Sequence, residues 1–96
     1  MDVAVAISDP IRRRVLELVR DQELPAGELA SEFVVSRPAV SRHLRVLREA
    51  GLVTERRHGK QRLYRANPAA LAELREWLEG YWSGRLAALK QLAEEG

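Results

Sequence analysis

The sequence predicts a small, mostly α-helical domain with one β-hairpin, five helices and two strands in a single unit over 1–96. Three observations predict it. Apolar residues recur at helical spacing between capping residues as far as Gly51. The pattern then changes to two short extended runs about a glycine. From Ala69 to Glu95 the chain has no proline and is rich in Leu, Ala and Glu, which reads as one long helix.

In order, Val3 to Ile7 is a short apolar segment. Ser8-Asp9-Pro10 starts the second helix, since Asp9 caps free amides and Pro10 suits the first helical position, where its missing N–H costs nothing. Ile11, Val15, Leu18 and Leu16, Val19 give that helix its apolar spacing. Asp21 to Leu24 is a polar break, and Pro25 with Glu28 opens a third helix with Leu29, Ala30 and Phe33 on its apolar face. The turn Val34-Val35 follows. Ser36 is an N-cap with Pro38 in the first turn, and the helix it opens runs to Ala50, where Gly51 supplies the left-handed C-cap. Leu52 to Arg57 and Gln61 to Ala66 flank His58-Gly59-Lys60 as a hairpin, and Asn67-Pro68 ends it. In the last helix Gly80 and Gly84 each cost about 1 kcal/mol relative to alanine, so a bend or fraying is expected there unless a neighbour packs against them.

Composition narrows the function. With 46% hydrophobic and 31% charged residues the chain is globular, and with no cysteine it has neither disulfides nor a thiolate metal or redox centre. Charges interrupt every apolar segment before the roughly 18 residues a membrane span needs, and no basic and apolar leader opens the sequence. A cytoplasmic protein without a membrane partner is expected. Two histidines and no serine, histidine and carboxylate spacing leave no basis for an enzyme or a cofactor. The formal charge of +2 hides a strong division: Ser36 to Arg65 holds nine basic residues against Glu49 and Glu55. A basic block between acidic ends points to a polyanion bound at one face.

On a helical wheel, Ser36 to Ala50 sorts into two arcs. Val40, Leu44, Leu47, Ala39, Ala50, Val46 and His43 share one, while Arg37, Pro38, Ser41, Arg42, Arg45, Arg48 and Glu49 share the other. One helix fits the DNA major groove, and arginine can grip guanine O6 and N7 with two hydrogen bonds. A short helix, a tight turn, this arginine-rich helix and a basic hairpin together make a winged helix-turn-helix over 9–67. The expected DNA contacts are Ser36, Arg37, Pro38, Ser41, Arg42 and Arg45 on the helix and Arg57, His58, Lys60 and Arg62 on the wing. His43, on the apolar arc, is expected to be largely buried and bonded to backbone. The alternative reading is an interaction module whose basic face meets an acidic protein.

Ser8-Asp9-Pro10-Ile11-Arg12-Arg13-Arg14-Val15-Leu16, the run Ser36 to Val53, and the Gly-x-x-Arg-x-Tyr order of Gly59 to Tyr64 resemble the ArsR-type winged-helix transcriptional repressors of bacteria. The resemblance implies a homodimer that places its fourth helix in the major groove and pairs through its first and last helices, 1–7 and 69–95. It also implies a sequence-specific repressor that occludes a promoter at a near-palindromic operator in double-stranded DNA. Metal-sensing members use cysteines on the third helix or histidines and carboxylates on the last. This chain has Glu28-Leu29-Ala30-Ser31-Glu32-Phe33 in the first place and no histidine in the second, so no metal site is expected. The Trp-Leu-x-x-Tyr-Trp order of Trp77 to Trp82 is similar to the metal-free branch. One departure is the turn, where relatives often have glycine and this chain has Val34 and Val35, which resist positive φ.

The last helix carries more apolar surface than so small a domain can cover. Leu71, Leu74, Leu78 and Tyr81 form a stripe expected to face the protein's own core. Trp82, Leu86, Leu89 and Ala93 form a second that needs a partner, with Val3, Val5 and Ile7 expected beside it in a two-fold interface. The sequence leaves open a small-molecule effector, the operator and the regulated genes.

Overall fold

The computed structural model describes residues 2–95, apart from the side chain of Trp82, one of the expected interface residues, which therefore lies outside the described set. Five helices are present: α1 (Val3–Ala6), α2 (Pro10–Leu18), α3 (Ala26–Ser31), α4 (Arg37–Glu49) and α5 (Pro68–Glu95). Strands β1 (Leu24–Pro25), β2 (Val53–His58) and β3 (Gln61–Ala66) form an antiparallel sheet in the order β1-β3-β2.

Local chemistry sets most of the boundaries. Asp9 Oδ1 accepts the amides of Ile11 at 2.8 Å and Arg12 at 3.1 Å, and Pro10 fills the first helical position. Ser36 Oγ accepts the Ala39 amide at 3.3 Å to open α4. Gly51, at φ 77°, closes it: its amide bonds the Arg48 carbonyl and the Leu52 amide bonds the Leu47 carbonyl, both at 3.0 Å. That is the Schellman arrangement, completed by the buried pair Leu47 and Leu52. At the wing, His58 pairs with Gln61, so the loop is Gly59-Lys60, with Gly59 at φ 63° as a two-residue hairpin of this kind requires.

The third strand is an addition to the expected hairpin. Leu24 pairs with Tyr64 and Pro25 with Leu63, inside what the sequence reads as a polar break and a helix start. Two residues cannot display strand alternation, and proline argues against a strand except at a sheet edge, where β1 lies. The Val34-Val35 turn forms without strain, because positive φ among the described residues is confined to Gly51 and Gly59.

The core gathers Ala6, Val15, Val19, Leu29, Val40, Leu44, Leu47, Leu52, Val53, Tyr64 and Ala66. Burying each large aliphatic side chain contributes about 1.5–3 kcal/mol. Asn67 ties this core to α5: its Nδ2 donates to the Gly51 carbonyl at 3.0 Å and its Oδ1 accepts the Ala69 amide at 3.2 Å. Among the described side chains of α5, only Ala70 and Leu71 pack against the core, and Leu74 is half-buried. Beyond Leu74 every described side chain is exposed, including Leu78 and Tyr81, so the stripe expected to face the core does so only at its start. The helix passes Gly80 and Gly84 without a break, although nothing lies within 4 Å of where a Cβ at either would stand. The domain consequently measures 62 × 26 × 22 Å.

Candidate nucleic-acid interface

Helix α4 presents the two arcs the wheel describes. Val40, Leu44 and Leu47 are buried, while Arg37, Pro38, Ser41, Arg42, Arg45 and Arg48 are exposed. The cap at Ser36 leaves a helix N-terminus at the surface, a position that favours phosphate. Arg37 leans back over α3, its Nη2 3.5 Å from where a Cβ on Gly27 would stand. With Lys60 and Arg62 from the wing it lines a cleft of about 510 Å³ walled by Pro25, Ala26, Gly27, Glu28 and Gln61. The N-terminus of α4 and the wing tip thus share one basic concavity.

The nine basic residues between Ser36 and Arg65 are not equivalent. Glu23 takes Arg56 in a two-pronged pair, Nε at 2.6 Å and Nη2 at 2.8 Å, and this pairing holds the Glu23 carboxyl below its ordinary range. Glu55 Oε1 accepts Arg48 Nη1 at 2.8 Å and Arg62 Nη1 at 3.0 Å. Burial pushes the Glu55 carboxyl up, but the Tyr64 hydroxyl and the two guanidiniums outweigh it and hold the carboxyl below its usual range. Among the described residues no carboxylate forms a salt bridge with Arg37, Arg42, Arg45, Arg57, Lys60 or Arg65. Arg57, His58 and Lys60 stand exposed about the wing tip.

His43 departs from expectation. It is half-buried, and its Nδ1 lies 3.0 Å from Arg12 Nη1 and 4.0 Å from Asp9 Oδ1, so its partner is a guanidinium and not backbone. The same Arg12 donates to the carbonyls of Ala6 at 2.6 Å and Val5 at 3.1 Å. One side chain therefore joins α1, α2 and α4. Sequence reasoning missed this role and those of Glu55 and Asn67, because each joins separate elements through pairings that neither helical nor strand periodicity encodes.

The residues expected at a two-fold interface fall in separate places. Val3 and Ile7 are half-buried and line a groove of about 630 Å³ with Ala70, Leu74, Trp77 and Leu78, whereas Val5 faces solvent. Leu86 and Leu89 lie further along α5, 60% and 61% exposed. Among the described residues no group of three or more His, Cys, Asp or Glu is placed to hold a metal, and no helix is long and apolar enough to cross a membrane.

A model of the bacterial arsR family of regulatory proteins matches residues 9–55, from the cap of α2 into β2. The HTH-type transcriptional regulator Rv2034 of Mycobacterium tuberculosis is 43% identical over 89 residues, covering 93% of this chain and 83% of that protein. The chain belongs to the ArsR family. Transcriptional repressor SdpR of Bacillus subtilis is 35% identical over 80% of this chain and 86% of its own length. Among solved structures, that of a possible transcriptional regulator for arsenical resistance superposes with a TM-score of 0.79 over 92% of this chain and 95% of that one, at 43% identity. An ArsR-like transcriptional regulator from Rhodococcus sp. RHA1 gives 0.76 over 98% and 89%, at 37% identity. The ArsR-family protein is thus a DNA-binding transcriptional regulator with a winged helix-turn-helix fold, and not an enzyme.

Proposed function

We propose that this ArsR-family regulator is a homodimeric, cytoplasmic repressor that occludes a promoter by reading a near-palindromic operator, and that no metal releases it. The observation that carries the reading is the outer arc of α4. Ser41, Arg42 and Arg45 stand exposed behind a capped N-terminus, with no described carboxylate bridging either arginine. Base edges are read from such positions, while Arg57, His58 and Lys60 at the wing suit phosphates. A two-fold dimer then sets half-site centres about 10–10.5 bp apart, or a multiple of it. Relatives named as repressors, including the one from Bacillus subtilis, support repression.

A related solved structure is named for arsenical resistance, yet this chain has no cysteine to offer a soft ion. Scattered carboxylates would bind such ions weakly and without selectivity. The test is a salt titration on a random duplex and on an operator selected from a random pool, each with and without added zinc, copper, cadmium or arsenite. Affinity should fall steeply with salt on both duplexes and ignore the metals. Binding without salt dependence would favour an acidic protein partner, and a tenfold metal-linked loss of affinity would overturn the metal-free reading.

A further inference from the structure

We infer that Glu55 is a positioning residue for DNA recognition: it locks the wing to the reading helix and withholds two guanidiniums, Arg48 and Arg62, from the DNA backbone. The inference builds on the DNA-reading role of α4 and the wing proposed above.

The geometry is specific. Glu55 on β2 pairs directly with Tyr64 on β3, so the two side chains share the sheet face that turns toward the core. Arg62, two residues before Tyr64, lies on that same face. Arg48 reaches it from the last turn of α4. A single oxygen, Oε1, receives both guanidiniums, and Oε2 is buried without a hydrogen bond of good geometry, the Tyr64 hydroxyl still being near enough to favour the ionised form. Glu55 is only 21% exposed, whereas Arg48 and Arg62 are 41% and 59% exposed. The carboxylate is therefore the fixed centre and the two cations are its arms.

This arrangement matters because a phosphate contact strengthens binding to every sequence equally, whereas a base contact does not. Left unpaired in a basic band, Arg48 and Arg62 would each seek a phosphate and raise affinity for random DNA. Held by Glu55, they instead fix the angle between α4 and the hairpin, leaving discrimination to Ser41, Arg42 and Arg45. Arg62 accordingly leaves the set of wing residues that touch DNA.

The decisive experiment measures affinity for a random-sequence duplex against salt for the full chain and three variants. Glu55→Gln should bind random DNA several-fold more tightly, with a log–log salt slope steeper by one to two, since each released cation adds about 0.9. Operator affinity should rise less than random affinity, because the hairpin no longer fixes α4 for Ser41, Arg42 and Arg45, so the ratio of operator to random affinity should narrow. Arg62→Ala, at an exposed position, should leave the slope unchanged, where a true phosphate contact would lower it by about one. Arg48→Gln/Arg62→Gln/Glu55→Gln should show no steepening. A purely structural role would instead lower the thermal midpoint of Glu55→Gln and weaken both DNAs at constant slope. That result, or a loss of slope in Arg62→Ala, would overturn the inference. An unmodified chain with no salt dependence would count against the DNA-reading scheme itself.

Discussion

Arg42 and Lys60 both stand exposed without a described salt-bridge partner, yet they differ in what DNA can offer them. Arg42 projects from the first half of α4, the part proposed to meet base edges, while Lys60 occupies the loop of the wing. Arg42→Ala should therefore lower operator affinity by about 1–3 kcal/mol and change random-duplex affinity little. Lys60→Ala should weaken both DNAs by a similar factor and reduce the salt slope by about one. Equal losses on the two duplexes for both variants would show that reading and anchoring are not divided this way. A different single-residue effect belongs to Asp9. Its partial burial raises the carboxyl, but the amides of Arg12 and Ile11, then the charges of His43 and Arg12, outweigh it and hold the carboxyl below its ordinary value. The folded pKa is depressed, so the stability it contributes is present above about pH 4 and is lost as pH falls through the folded value. Asp9→Asn keeps a capping oxygen and should be nearly neutral at pH 7 while flattening the acid limb of the stability curve. Asp9→Ala should cost about 1 kcal/mol at pH 7. Thermal melts between pH 2 and 7 check both, and an unchanged acid limb in Asp9→Asn would count against the capping argument.

At the scale of elements, Gly51 shows how much one backbone position decides. It sits at φ 77° with nothing within 4 Å of a would-be Cβ, so Gly51→Ala introduces no clash and isolates the cost of the left-handed conformation. The expected loss is about 1–2 kcal/mol in a denaturant melt, and a neutral result would mean that α4 can end by another route. Such stops were legible in the sequence because their chemistry is local. Asp9-Pro10, Ser36 and Gly51 act within a few residues of themselves, and the arcs of α4 follow from a period of 3.6. The rest depends on residues far apart in the chain. Arg12 meets His43 across 31 positions and Arg56 meets Glu23 across 33, and no periodicity encodes either pairing. A charge count from Ser36 to Arg65 treats nine cations alike, although carboxylates occupy Arg48, Arg56 and Arg62. Strand β1 stayed hidden because two residues, one a proline, show no alternation.

The shape of the whole molecule follows from α5, whose 28 residues extend about 42 Å, while its packing on the core ends near Leu74. Trp77, Leu86, Leu89 and Leu92 are each 60% exposed or more, which is costly for a helix that had to remain alone in water. On the α5 wheel, Leu86 and Leu89 lie on one side, and Gly80 and Gly84 lie on the other. A second copy covering the leucine side would leave both glycines in solvent, where nothing now approaches them. Two variants separate the faces. Leu89→Glu places a charge in the proposed interface and should shift sedimentation from dimer toward monomer, weakening DNA binding without altering any DNA-facing residue. Gly80→Ala/Gly84→Ala should leave association unchanged and add about 1 kcal/mol per site to helix stability, raising the thermal midpoint by several degrees. Loss of the dimer in the glycine variant, with Leu89→Glu still dimeric, would place the partner on the opposite side of α5.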